Sequence, residues 1–84
     1  MDQTTVHFRR QPNGSYAFDV ATTGTTYFAY RNEAGFEGRQ WYVTRLDSTD
    51  APEAHVEDML ASRKECVAVA YEDAAREARI SAAR

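Results

Sequence analysis

The chain has one cysteine, two prolines and no long apolar run, and each scarcity excludes a class of protein. A lone cysteine, Cys66, can form neither an internal disulfide nor a cysteine zinc cluster, which favours a reducing compartment. No stretch approaches the length of a membrane span, and no basic-then-apolar signal peptide is recognisable. We therefore expect a cytoplasmic protein that does not bind membranes.

Motifs for catalysis are also missing. The sequence contains no phosphate-binding loop, no dinucleotide-binding glycine pattern and no G-x-S-x-G nucleophile motif. His7 and His55 lie far apart and have no metal-ligand spacing with other histidines or cysteines. Cys66 falls in the first turn of an expected helix, where a small semi-buried hydrophobe is a better interpretation than a nucleophile. We expect no enzymatic activity, no metal and no cofactor.

Charge is unevenly distributed along the 84 residues, whose net charge is −3. Residues 1–46 carry five basic and four acidic side chains, whereas residues 47–84 carry five basic and nine acidic ones. The stretch from Asp47 to Asp58 contains five acids and no base. Proteins that bind duplexes rely on neutralising phosphates, so this balance disfavours nucleic acid as the main partner.

The pattern of the first half of the chain predicts a β-sheet. Apolar and polar residues alternate over residues 4–10, 15–21 and 40–46, which is typical of half-buried strands, and residues 25–31 are rich in β-branched and aromatic side chains. Pro12, Asn13 and Gly14 predict a tight turn after the first segment. Two glycines in residues 33–39 predict a longer loop before the last strand. The pattern indicates an antiparallel meander of three to four strands.

The second half contains the best-marked element, a helix over residues 62–79. Ser62 and Glu65 form an S-x-x-E capping box, in which the hydroxyl and the carboxylate each accept a backbone N–H at the helix start. An apolar side follows at helical spacing and consists of Val67, Ala70, Tyr71, Ala74 and Ala78. We expect this side to cover one face of the sheet.

Residues 50–60 are open to two interpretations. Asp50 with Glu53 resembles a second capping box, and Val56 and Leu60 are in helical phase with the later apolar side. A helical region over residues 50–81 would exceed the length of the strands, so the chain either bends near Ser62 or projects and packs on another molecule, for example a second copy. A short extended segment over residues 55–60 is the competing interpretation.

The fold prediction is therefore a single α+β domain over residues 1–84. Residues 4–46 form the antiparallel sheet, and a C-terminal amphipathic helix, preceded in one interpretation by a short helix, packs on it. The side chains expected to face the helix are Tyr16, Phe18, Val20, Phe28, Trp41 and Val43. In the third strand the two faces are nearly equal, and alternation does not decide which of them is buried.

The sheet face opposite the helix is the candidate contact surface. Its expected partner-binding residues are Arg9, Tyr27, Arg31, Tyr42 and Arg45, with Phe36 as a further contact or a loop anchor. Arginines interleaved with tyrosines suit protein interfaces, where both act as anchors, and they also suit base stacking and phosphate contacts. The same mixture is found on ordinary solvated sheet faces.

Two sequence features resemble those of small accessory proteins of actinobacterial phages. These features are the tryptophan-centred strand QWYVTRL and, after an acidic stretch, LASRKECVAVA, which opens a final helix with an S-x-x-E box. In those proteins alanine follows the box glutamate, whereas Cys66 stands here. The resemblance implies a phage accessory role in the host cytoplasm. A similar strand and helix also end the DNA-reading arm-binding domain of tyrosine integrases, from which this chain departs in its acidic segment and negative charge.

These observations together predict a non-enzymatic interaction module that binds a host protein or a second copy of itself. The alternative is a small nucleic-acid-binding regulator that uses Arg9, Arg31 and Arg45.

Overall fold

The strand patterns of the first half form one antiparallel sheet, and the C-terminal helix packs across one of its faces. The computed structural model describes residues 6–36, 38–47 and 50–82, and of residues 33–36 it describes the backbone alone. The elements are β1 (Arg9–Arg10), β2 (Tyr16–Val20), β3 (Thr25–Phe36), β4 (Arg39–Leu46), β5 (Ala54–Leu60) and α1 (Arg63–Ala82). In this part of the chain the sheet has five strands in the order β1-β2-β3-β4-β5. The α+β prediction is confirmed, but the predicted strand count is too low.

The turn between β1 and β2 forms at the residues that predict it. Gly14 has a φ of 88° and donates its N–H to the carbonyl of Gln11 at 2.9 Å. Glycine adopts this left-handed conformation without the clash that a Cβ would cause. The side chain of Asn13 accepts the N–H of Ser15 at 3.0 Å and so closes the turn.

The first strand is shorter than predicted. From residue 6 onwards, where the structure describes the chain, only Arg9–Arg10 pairs with β2, although Val6 and Phe8 pack against the core as their alternation indicates. The predicted strand residues 4 and 5 lie outside the described residues.

The predicted loop over residues 33–39 is wrong. Strand β3 continues to Phe36, which pairs with Arg39 at the start of β4. Gly38, with a φ of 75°, allows the tight reversal between them. Between Arg31 and Phe36 the pairing of β3 with β4 shifts in register, which accommodates the extra residues that β3 has in this segment.

Residues 50–60 do not form the helix that the sequence favours. Residues 54–60 are strand β5, paired antiparallel with β4, so the competing extended interpretation of residues 55–60 is confirmed. Val56 and Leu60 lie four residues apart, a spacing that keeps two side chains on one side of either a helix or a strand. Their apolar pattern therefore could not separate the two. In the sheet Leu60 is opposite Trp41 and is almost fully buried.

The C-terminal helix confirms its capping prediction. The N–H of Glu65 donates to Ser62 Oγ at 3.3 Å, and the Glu65 carboxylate accepts the N–H of Ala61 at 3.0 Å. At about 1.5 Å per residue, α1 measures about 30 Å, close to the roughly 26 Å of the eight-residue β4. The excess helical length, from which the sequence suggested self-association, is therefore absent.

The core lies between α1 and the sheet face that it covers, which we call the inner face. Its buried side chains are Phe18, Val20, Tyr27, Ala29, Val43, Leu60, Cys66, Val67, Ala70 and Ala74, with Tyr16 and Trp41 packed beside them. Tyr27 is fully buried, whereas Phe28 is only half-buried and lies on the opposite, outer face beside Tyr30. The expected orientation of these two residues is therefore reversed. Trp41 and Val43 lie on the inner face as predicted.

Candidate functional site

The outer face carries a ladder of aromatic rings that crosses three strands. Tyr30 of β3 and Tyr42 of β4 stack with ring centroids 5.0 Å apart and planes 8° apart. Phe28 extends the ladder on β3 at 6.4 Å from Tyr30, and His55 of β5 extends it at 6.3 Å from Tyr42. The rings meet because Tyr30 and Tyr42 are directly opposite in the register, where side chains on one face come within contact distance.

A groove lies at the β4 and β5 side of this ladder. It has a volume of about 460 Å³ and is lined by Arg31, Asn32, Tyr42, His55 and Asp58; we call it the Tyr42 groove. The guanidinium of Arg31 donates to Gln40 Oε1 at 3.1 and 3.3 Å, which orients it beside the groove. Aromatic, cationic and anionic side chains thus share one polar concavity.

The ladder is anchored by Glu53, which precedes β5. Both Tyr30 Oη and Thr44 Oγ1 donate to Glu53 Oε1, at 2.7 and 2.6 Å. Burial, together with the hydrogen bond to Glu53, raises the pKa of Tyr30 above its ordinary value. Tyr30 therefore remains a neutral donor at physiological pH, and the stacked rings have a fixed orientation before any partner arrives.

Among the predicted partner-binding residues, Arg31 and Tyr42 are brought together in the Tyr42 groove. Arg9 lies at the other edge of the sheet, where its guanidinium bonds both carboxylate oxygens of Asp19 at 3.0 and 3.2 Å. The side chain of Phe36 lies outside the described residues, so its predicted contact role stays a prediction.

Tyr27 and Arg45 lie on the inner face, contrary to expectation. Tyr27 Oη donates to Asp73 Oδ2 at 2.8 Å, and Arg45 Nη1 donates to the same oxygen at 2.7 Å. Arg45 is also paired with Asp47 at 2.7 Å and with Glu77 at 3.4 Å. Neither side chain faces the outer surface, because each is bonded to the helix that covers the core.

The buried carboxylate of Asp73 holds this inner network together. Burial by itself would raise its pKa, but the hydrogen bonds from Arg45 and Tyr27 and the charges of Arg45 and Arg76 outweigh burial and lower the pKa. Burial and the Asp73 hydrogen bond raise the pKa of Tyr27, so its hydroxyl stays protonated. The network has the protonation states that its donors and acceptor require.

Sequence reasoning missed Asp73, Asp58 and His55 as members of these two clusters. Asp73 had a usable signal, since it stands three residues after Ala70 and directly before Ala74, within the apolar side of the helix. A carboxylate there predicts a buried cationic or hydroxyl partner on the facing sheet. Asp58 and His55 had no such signal while residues 50–60 were read as helix.

Cys66 is not arranged as a nucleophile. Its side chain is fully buried against the sheet, with Sγ 4.0 Å from the carbonyl oxygen of Tyr42. Burial and the neighbouring Glu65 raise the pKa of the thiol to about 12, so the reactive thiolate is scarce at neutral pH. The interpretation of Cys66 as a small core hydrophobe agrees with this position.

Within residues 6–36, 38–47 and 50–82, no group of three or more His, Cys, Asp or Glu side chains is placed to hold a metal ion. In the same part of the chain, no helix combines the length and the apolar composition that crossing a membrane requires.

Comparison with known proteins gives no relative. No family model matches the chain, and neither a curated protein nor a solved structure is significantly similar to it. The resemblance to phage accessory proteins therefore stays a prediction.

Proposed function

We propose that the protein is a non-enzymatic interaction module whose outer sheet face binds a protein partner at the Tyr42 groove. The observation that supports this is the stack of Tyr30, Tyr42 and His55 beside Arg31 and Asp58, on the face that α1 leaves uncovered. The resemblance to phage proteins adds the proposal that this partner is met in the cytoplasm of a host cell.

Side-chain chemistry favours a protein partner. Tyrosine and arginine dominate the energetics of protein interfaces because they offer large contact areas and several hydrogen bonds per side chain. Tyr30 is already fixed by Glu53, and Tyr42 by stacking on both sides. Little rotamer entropy remains to be lost on binding, which strengthens any complex formed here.

A nucleic-acid regulator is the weaker candidate, because the three arginines that it needs do not act together. Arg45 is bonded to the helix, Arg9 is paired with Asp19, and only Arg31 lies in the groove. Two of the acidic residues expected in a helix, Glu57 and Asp58, lie instead on β5, and Asp58 lines the groove beside Tyr42. Their charge opposes the phosphate backbone at the place where bases would stack.

Quantitative affinity capture from host lysate tests the proposed surface. We expect Tyr42→Ala and Arg31→Ala to remove the specifically captured proteins, whereas Arg10→Ala, an exposed arginine outside the groove, retains them. Circular dichroism of each variant verifies that the helix and sheet persist. Capture profiles that are identical for all three variants would reject the outer face as the contact surface.

Fluorescence titration with labelled DNA and RNA at low and moderate salt tests the alternative. Binding at low salt that weakens steeply as salt rises, and that Arg31→Ala reduces, would favour the nucleic-acid regulator. Absence of binding at low salt rejects it.

A further inference from the structure

The Tyr42 groove carries opposite charges on its two sides. Arg31 belongs to β3 and Asp58 to β5, and β4 with Tyr42 runs between them. Because neighbouring strands are about 5 Å apart, the cation and the anion flank Tyr42 from strands separated by roughly 10 Å.

The two charged residues also lie at similar positions along the strand direction. Arg31 is opposite Trp41 at the last regular pair before the register of β3 with β4 shifts, and its guanidinium, which donates to Gln40, lines the groove beside Tyr42. Asp58 lies between Glu57, which is opposite Val43, and Leu60, which is opposite Trp41. Both side chains therefore fall within about one residue, or 3.3 Å, of the level of Tyr42.

This arrangement is complementary to itself. A twofold axis parallel to β4 and passing above Tyr42 turns a second outer face towards the first and exchanges the positions of β3 and β5. Arg31 of each copy then faces Asp58 of the other, while the two Tyr42 rings meet at the axis. Isologous contacts of this kind require that a surface complement its own rotated image, which these three side chains satisfy.

Pairing through the edge of the sheet is a poorer route to the same dimer. The exposed edge strand β5 has two register shifts against β4, and Met59 within it has a φ of 61°. Bulges and charged residues such as Glu57 and Asp58 are features by which edge strands resist adding another strand.

We infer that the partner of the outer face is a second copy of this chain, in a twofold dimer held by two reciprocal Arg31 to Asp58 pairs around Tyr42 rings that meet edge to edge. This inference rests on the proposed function, since it names the partner of the same groove. The dimer weakens as salt rises, because its two ion pairs lie near solvent.

Charge reversal tests the inference by sedimentation equilibrium across a range of protein concentrations. Wild type forms dimers. Arg31→Glu alone and Asp58→Arg alone each place like charges together twice, and each weakens association on the order of tenfold or more. Arg10→Glu, outside the groove, changes the dissociation constant by no more than about twofold, since distant surface charges are screened.

An equimolar mixture of Arg31→Glu and Asp58→Arg recovers the dimer mass. In the mixed pair the new carboxylate at position 31 faces the new guanidinium at position 58, and the native Arg31 and Asp58 also face each other. A monomeric wild type at the highest concentration, a dimer insensitive to both reversals, or a mixture that stays monomeric overturns the inference.

Failure of the dimer is distinguishable from failure of the proposed function. A monomeric wild type whose captured proteins are lost in Arg31→Ala keeps the groove as a contact surface and assigns it to a different protein. A monomeric wild type with capture unaffected by Arg31→Ala and Tyr42→Ala rejects both.

Discussion

The two faces of the sheet carry the same kinds of side chain in different surroundings. On the inner face Tyr27, Arg45 and Asp73 bond to one another beneath the helix. On the outer face Tyr42, Arg31 and Asp58 lie around an open groove. The identities of a tyrosine, an arginine and an aspartate therefore do not reveal whether they are bonded to one another inside the fold or exposed around an open groove.

Burial separates the two groups. The side chain of Asp73 is 8% exposed and that of Arg45 is 19% exposed, whereas Arg31 and Asp58 are exposed. A buried charge must be paired within the molecule, because leaving it alone costs several kcal/mol. Exposed charges have no such requirement and remain available to an incoming surface. We therefore expect substitutions on the inner face to lower stability and those on the outer face to lower binding.

The largest expected effect comes from the aromatic core of the inner face. Phe18→Ala removes a fully buried ring and should lower the free energy of unfolding by about 3–5 kcal/mol, a large share of the stability of a domain of this size. The matched change on the outer face, Phe28→Ala, removes a half-buried ring and should cost about 1 kcal/mol. Urea denaturation followed by circular dichroism measures both. Equal losses would contradict the assignment of the two faces.

The next largest effect concerns the carboxylate of Asp73. Asp73→Asn keeps an acceptor for Tyr27 but leaves Arg45 without its buried counter-charge, so the expected loss is about 2–3 kcal/mol in free energy of unfolding. Its control, Asp58→Asn, should stay within about 0.5 kcal/mol of wild type because the site is exposed. Urea denaturation under identical conditions measures both variants. A larger loss of unfolding free energy in Asp58→Asn than in Asp73→Asn would contradict this expectation.

Acid should produce a smaller effect of the same origin. The pKa of Asp73 is lowered in the folded protein, so its contribution to stability is present above the ordinary carboxyl value of 3.8 and is lost as the pH falls through the folded pKa. The stability difference between wild type and Asp73→Asn should therefore shrink as the pH falls from neutral to below this value. Denaturation curves at several pH values test this, and a difference that grows on acidification would contradict it.

The smallest effect is expected where the helix begins. The guanidinium of Arg63 lies over the rings of Tyr16 and Phe8, at 4.5 and 5.1 Å from their centroids. Arg63→Ala should cost about 1 kcal/mol through the lost cation–π contacts. Lys64→Ala, the exposed neighbour, should cost nearly nothing. A thermal shift that is the same for both variants would show that the ring contacts of Arg63 do not contribute.

Local signals in the sequence predict much of this fold. The Ser62 capping box marks the helix start, and Asn13 with Gly14 marks the first turn, because both depend on side chains only a few residues away. Trp41 and Val43 are assigned to the inner face by simple alternation. These elements need no information from distant parts of the chain.

Other features depend on contacts that a sequence does not display. Residues 54–60 become a strand because β4 offers an edge to pair with, while the spacing of Val56 and Leu60 fits helix and strand equally. Tyr27 rather than Phe28 turns inward because Asp73, 46 residues away, accepts its hydroxyl. Because the sequence favours a helix over residues 50–60, it does not place Asp58 or His55, two of the five residues that line the groove, beside Tyr42.

The most direct test of the division between the two faces is a dilution series of the isotopically labelled protein, followed by the amide resonances of each residue. We predict that, between millimolar and micromolar concentration, the resonances of Arg31, Tyr42 and Asp58 shift together while those of Tyr27 and Asp73 stay in place. Resonances that do not change with concentration would contradict the dimer, and shifts that concentrate on the helix and the inner face would contradict the division between the two faces.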